Sequence, residues 1–338
     1  MDFSEAYAAY RAGGDPSAIA KNLVAEMPRD EQLACLEGDL PFWAGLEDIG
    51  RHGYHYRPFP AMNRERLGFP GIHFSDGPRG IVVDHATAFP VSMARGATFD
   101  PALEEEVGNA IGTELRAVGA TLYGGVCVNL LRHPAWGRAQ ETYGEDPCHV
   151  GEMGAALVRG VQRHAMAVVK HLACNSMENA RFTVDVTVDE VSLHELYLPH
   201  FRRIVDEGVA CVMSAYNAVN GEWCGDSREL LTDTLRDEWG FEGFVVSDWI
   251  LGTRDPGKAV EAGLNLEMPY RMRRYAGLEA ALNAGEVSWS SVEDAIAPTV
   301  ATMLRFQERL EASTKGREVL QSPAHRALSR KVASASMV

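Results

Sequence analysis

The sequence predicts an α/β protein built as a TIM-type (β/α)8 barrel, regular or irregular, and three observations predict it. From about residue 70 onward, short apolar runs alternate with longer amphipathic segments, the pattern of β-α-β units and a parallel sheet. The 338 residues suit one such barrel with appendages. Almost every predicted strand ends in a reactive or hydrogen-bonding side chain, and the carboxyl ends of barrel strands converge on one mouth.

Strands are predicted at "GIHFSDG" (71–77), "GGVCVNLL" (124–131), "AVVKHLA" (167–173), "VACVMSAYN" (209–217), "GFVVSDW" (243–249) and "AGLNLEMP" (262–269). Each is a short apolar run bounded by turn residues. Between them, residues 102–119, 149–164, 189–208 and 227–240 carry helical patterns. Several of these end in Gly, and the last starts at Ser227, a residue type suited to capping. A doubly wound open sheet shows the same alternation. The barrel is preferred because Asp76, Asn129, Lys170 with His171, Tyr216 with Asn217, Asp248 and Glu267 all fall at strand ends.

Composition narrows the function. With 46% apolar and 23% charged residues the chain reads as globular, and no apolar run of 18 residues marks a membrane span. Acids outnumber bases 47 to 32, for a net charge of −15. That balance excludes nucleic acid as a partner, since phosphate binding needs a basic stripe. The N-terminal "MDFSEAYAAYRAGG" lacks a basic region leading into an apolar core, so a cytoplasmic location is expected. Six scattered cysteines without a C-x-x-C pair read as free thiols. "HGYH" (52–55) has no companion ligands and reads as loop, so neither metal nor cofactor is expected.

Any single acid at a strand end is more often a turn or helix cap than a catalyst. Lys170 is the exception that gives the set weight. The chain holds five lysines, and this one sits inside an apolar strand, where an ammonium is costly unless paired with an anion.

The segments "FSDGPRG" (74–80), "NLLRHPAWGRAQETYGEDP" (129–147), "KHLACN" (170–175), "VMSAYNAVNG" (212–221) and "GFVVSDW" (243–249) together resemble the N-terminal barrel domain of glycoside hydrolase family 3. The resemblance spans roughly residues 25–310. It implies a domain over 1–310, with 311–338 as linker and start of a second α/β domain. It also implies a retaining, exo-acting hydrolase of β-linked glycosides, glucose first and xylose or other sugars behind it. Such chemistry needs an ionised carboxylate at the anomeric carbon and a carboxylic acid roughly 5–5.5 Å away.

The resemblance makes Asp248 the nucleophile. Asp76, Arg138, Lys170 and His171 become the groups that grip the sugar hydroxyls, with Tyr216 beside the nucleophile, Trp249 as an aromatic face and Arg181 in the same shell. Glu141, Glu145, Asp146 and Glu267 are read as structural acids. Two departures stand out: Leu172 replaces the usual Phe after the Lys-His pair, and "ACNSMENARF" (173–182) contains neither the Asp nor the His that serve as acid/base in barrel-only relatives. The acid/base is therefore expected from a second domain or a partner chain. Two rival readings stay open: a Schiff-base aldolase-type barrel using Lys170, and a non-catalytic sugar-binding barrel or scaffold.

Overall fold

The computed structural model describes residues 1–313 and 316–337. Its strands are β1 (Phe59–Arg64), β2 (Phe69–Ser75), β3 (Leu122–Cys127), β4 (Met166–Leu172), β5 (Asp185–Val186), β6 (Cys211–Ser214), β7 (Ala218–Val219), β8 (Glu222–Trp223) and β9 (Phe244–Val246). Six of them form the main sheet in the order β1-β2-β3-β4-β6-β9. β1 runs antiparallel to β2, and every later pair is parallel. The sheet is therefore mixed. β5, β7 and β8 form a small separate sheet.

The parallel strands read as continuous apolar runs because both faces are covered. Every residue of β4, "MAVVKHL", is buried, Lys170 and His171 included. The flanking helices follow from local chemistry. The helix Pro101–Ala117 begins at Asp100, whose side chain accepts the Leu103 amide, and Pro101 presets its first turn. Leu103, Val107, Ile111 and Leu115 recur at helical spacing and are buried. The helix Pro147–Val161 packs against it at close quarters. A Cβ on Gly108 would stand 2.5 Å from the Leu157 carbonyl oxygen, so only glycine permits this crossing.

The predicted strand at 262–269 differs in form. It contributes two isolated bridges, Leu266 with Val246 of β9 and Glu267 with Glu37, and the neighbouring Gly38 bridges in turn to Ala61 of β1. The cause is Asn265, whose Oδ1 accepts the Val245 amide at 2.6 Å in place of a backbone carbonyl. These bridges lead the pairing from β9 round to β1.

Two predicted helices are also modified. The 189–208 segment is interrupted at Leu198, where Pro199 supplies no amide, and the turns before it are wider than α-helical. The helix near 227–240 is similarly widened over Glu229–Glu238, while Ser227 Oγ accepts the Leu230 amide as its residue type suggests. Beyond the long helix Trp289–Ala312, the helix Pro323–Ala335 lies against Pro101–Ala117. His325 Nδ1 meets the buried Glu114 at 2.7 Å there.

Candidate active site

The site assembles at the carboxyl ends of the parallel strands. Asp76 follows β2, Arg138 lies on the segment after β3, and Lys170 and His171 end β4. Tyr216 follows β6, and Asp248 with Trp249 follows β9. All of them, with Arg181, line one cavity of about 330 Å³, within the size range of small-molecule sites. The structure thus brings together the eight residues expected to act as nucleophile and sugar-binding groups, whereas Asn129, Asn217 and Glu267 of the strand ends do not line the cavity.

Asp76 is held by a turn that demands glycine. Gly77 has φ +132°, and a Cβ there would lie 1.9 Å from the Gly80 carbonyl oxygen. Its amide donates to Asp76 Oδ1 at 2.9 Å, and Lys170 Nζ donates to the same oxygen at 2.7 Å. Burial pushes the Asp76 carboxyl up, but the Lys170 ammonium, the Gly77 amide and Arg138 outweigh it, and the carboxyl is held below the usual carboxylate range. Burial likewise opposes the charge on Lys170, and Asp76, Cys127 and Glu141 together outweigh it, so the ammonium is held above its ordinary value.

Arg138 donates from Nε and Nη2 to Glu141 Oε2 at 3.0 and 2.7 Å, and its Nη1 lies 3.1 Å from His171 Nε2. On its other side the His171 ring presents Nδ1 to Asn129 Oδ1 at 3.2 Å. An amide oxygen only accepts, so the proton resides on Nδ1 and Nε2 accepts from Arg138. Burial first, then Arg138 and Lys170, push His171 well below the ordinary histidine range, and the ring is neutral.

Asp248 is 6% exposed. Its Oδ1 accepts the Trp249 amide at 2.7 Å. Its Oδ2 is buried, accepts no hydrogen bond from the described residues, and faces His171 Nε2 at 3.5 Å. Burial raises this carboxyl, and Arg138, Lys170 and the Trp249 amide offset only part of the effect. The Tyr216 hydroxyl donates to the Trp249 carbonyl at 2.8 Å, tying β6 to the segment that carries Asp248. Trp249 packs on Phe74 and meets Phe59 edge-on, with centroids 4.3 and 5.6 Å away. Arg181 lies over the Tyr216 ring at 5.0 Å and pairs with Glu178.

Sequence reasoning missed Tyr54 and Glu178, which also line the cavity. Tyr54 sits just before "HYRPFP", where no periodicity marks it. Glu178 had a signal in its position three residues before Arg181. Glu141 lines the cavity while also anchoring Arg138. Glu267 lies apart from the cavity lining, and its Oε2 accepts the Arg274 amide at 3.0 Å. Asp146 caps the helix Pro147–Val161 by accepting the His149 amide at 2.7 Å. Among the described residues no His, Cys, Asp and Glu side chains cluster as metal ligands.

A largely parallel α/β sheet with acids, cations and an aromatic face converging on a pocket at its strand ends has the layout of an α/β enzyme. The chain belongs to glycosyl hydrolase family 3: the family's N-terminal domain model matches residues 54–302. It is 37% identical over 327 residues to a beta-glucosidase of Rhizobium radiobacter, covering 94% of this chain and 38% of that protein. It is also 37% identical over 335 residues to a probable beta-glucosidase I of Aspergillus flavus, covering 96% and 37% respectively. Beta-glucosidase 3B from Thermotoga neapolitana, solved in complex with alpha-D-glucose, superposes with a TM-score of 0.85 at 28% identity, over 94% of this chain and 46% of that one. The chain spans less than half the length of each of these relatives.

Proposed function

We propose that this chain forms the sugar-binding, nucleophile-bearing part of a retaining, exo-acting β-glucosidase. The observation that carries this reading is the Asp248 carboxylate, buried with one oxygen that accepts no hydrogen bond from the described residues, beside paired Asp76–Lys170 and Arg138–Glu141. In the reaction, an Asp248 oxygen attacks the anomeric carbon. The bond to the leaving oxygen breaks, that oxygen takes a proton, and a glycosyl ester forms on Asp248. Water then attacks the same carbon, returns the carboxylate and releases the sugar. Asp76 with Lys170, and Arg138 with His171, bind the ring hydroxyls from opposite sides. Trp249 offers its face to the sugar's C–H surface.

The other acids lining the cavity are each committed to a cation: Asp76 to Lys170, Glu141 to Arg138 and Glu178 to Arg181. The proton donor is therefore assigned to a second domain or a partner chain. We also read the circuit of strands and bridges as a closed, irregular barrel. A cytoplasmic setting is part of the reading, supported by six free cysteines. The aldolase alternative loses ground because Lys170 is held as an ammonium by Asp76 and is no free amine.

The test uses a dinitrophenyl β-glucoside, whose leaving group departs without a proton. Proton donation typically contributes about 10²–10⁴-fold for ordinary leaving groups. Incubation followed by intact-mass and peptide-mapping mass spectrometry is expected to find a covalent hexose on Asp248. A folded chain that never labels would favour the non-catalytic sugar-binding reading, and fast cellobiose hydrolysis would reveal an acid/base on this chain.

A further inference from the structure

Behind the cavity wall lies a second charged cluster, none of whose side chains lines the cavity itself. Arg95 and Glu104 are fully buried, and Arg95 Nε lies 3.1 and 3.0 Å from the two carboxylate oxygens. The rest of the guanidinium is shared among three segments, the Tyr143 hydroxyl oxygen accepting from Nη2 at 3.5 Å. Nη1 donates to the carbonyls of Pro78 and Pro90 at 2.8 and 3.0 Å, and Nη2 to Ser92 Oγ at 3.2 Å. The Tyr143 hydroxyl donates to Glu104 Oε1 at 2.6 Å.

Two of those segments carry the sugar-gripping groups. Pro78 stands two residues after Asp76 and lines the cavity. Tyr143 stands two residues after Glu141 and five after Arg138. The spacing between them has little slack. A Cβ on Gly96, next to Arg95, would lie 2.2 Å from the Tyr143 carbonyl oxygen, so backbone meets backbone there. A buried ion pair is a weak source of stability, because the desolvation of both charges cancels most of their attraction, and apolar side chains of similar volume fill such sites as well or better. What apolar side chains cannot do is hold two carbonyls and a phenol in fixed directions.

We propose that Arg95, with Glu104 and Tyr143, is a positioning unit that fixes the Asp76 turn relative to the Arg138–Glu141 segment, and so sets how tightly the cavity grips the sugar. This rests on the reading of the cavity as a sugar site. The unit touches no reacting atom. It acts through Pro78 on one side and Tyr143 on the other, and its removal loosens binding of the glycoside without changing Asp248.

The experiment measures the rate of Asp248 labelling by dinitrophenyl β-glucoside against its concentration, giving a half-saturating concentration and a maximal rate. The variants are Arg95→Met with Glu104→Leu, Tyr143→Phe, Asp76→Asn, and the Arg95–Glu104 pair combined with Asp76→Asn. The paired apolar variant is expected to melt no lower than wild type and to need roughly tenfold more glucoside for half-saturation, with an unchanged maximal rate. Tyr143→Phe should shift in the same direction by less, and it decides the matter if the paired variant does not fold. In the Asp76→Asn background the pair should add almost nothing, whereas a general loss of packing would add in full. Unchanged half-saturation in a labelling-competent variant, or full additivity with Asp76→Asn, overturns the positioning unit alone. Wild-type chain that neither labels nor binds glucose overturns the sugar-site reading, and the inference with it.

Discussion

Lys170 Nζ lies 2.7 Å from Asp76 Oδ1, joining the end of β4 to the turn after β2 across 94 residues of sequence. Neither group is comfortable alone: the Lys170 side chain is 3% exposed, and burial works against both charges. Together they form a fixed donor–acceptor pair, which suits neighbouring hydroxyls that must each donate and accept.

Lys170→Met is therefore expected to weaken glucose binding by roughly tenfold or more, because it leaves the half-buried Asp76 without its cation and removes a donor to the sugar. Asp76→Asn should cost a comparable amount, and the double variant little more than either single one. Titration calorimetry with glucose measures all three. Costs that simply add would mean the two groups act independently.

Asp248→Asn is expected to abolish labelling and, in any form with an acid/base, to lower turnover of an aryl β-glucoside by at least roughly 10⁴-fold. Stability should move the other way. Burial raises the Asp248 carboxyl above its ordinary value, so the ionised form is a cost to the fold that is fully present above the folded pKa. The variant should melt at or above wild type at pH 7, with the gap narrowing towards pH 4. A lower melting point at pH 7 would contradict the unpartnered state of Oδ2.

Glu178→Gln tests one of the two cavity residues that sequence reasoning overlooked. Its ion pair with Arg181 is an i,i+3 contact between partly exposed side chains, worth about 0–1 kcal/mol of stability. The same pair holds Arg181 over Tyr216, whose hydroxyl supports the Trp249 carbonyl. Melting should barely change, while labelling of Asp248 slows several-fold. Unaltered labelling kinetics would make Glu178 a surface ion pair and no more.

The site was legible because parallel core strands read as apolar runs, and a polar residue at their carboxyl ends stands out. Asp76, Lys170, His171 and Asp248 are of this kind. β1 was not legible: "FPAMNR" carries Pro60 and no alternation, and only pairing with β2 makes it a strand. Residues 262–269 read as a strand, yet an Asn265 side chain stands in the ladder where a backbone group was expected. Tyr54 and Glu178 lie on loops, whose course is set by tertiary contacts. Glu104 was partly legible, since Gly108, Ile111 and Leu115 follow it at helical spacing on a buried face, while the half-buried Glu105 and exposed Glu106 beside it in "EEE" disguise it.

The neutral state of His171 makes a pH prediction. Its ring is pushed well below the ordinary histidine value in the fold, whereas in the unfolded chain it protonates from about pH 6.5 downward. The unfolded state then binds more protons, so this contribution to stability is complete above pH 6.5 and is lost as pH falls towards the folded value, by at most about 1.4 kcal/mol per pH unit. His200, pushed by burial to about 3, and the half-buried His73 act in the same sense. Asp226, raised by burial to about 6, and Asp248 act in the opposite one, because their folded forms take up protons first. The bulk pH profile therefore mixes signs, and a difference isolates His171. Gln can keep an acceptor for Arg138 without titrating. Urea unfolding of wild type and His171→Gln at pH 7, 6 and 5 should show the stability advantage of wild type shrinking at each step. An advantage independent of pH would mean that His171 titrates in the fold as it does in the unfolded chain, and an advantage that grows as pH falls would mean that it carries a proton on both nitrogens and that the Arg138 contact at Nε2 is not a hydrogen bond.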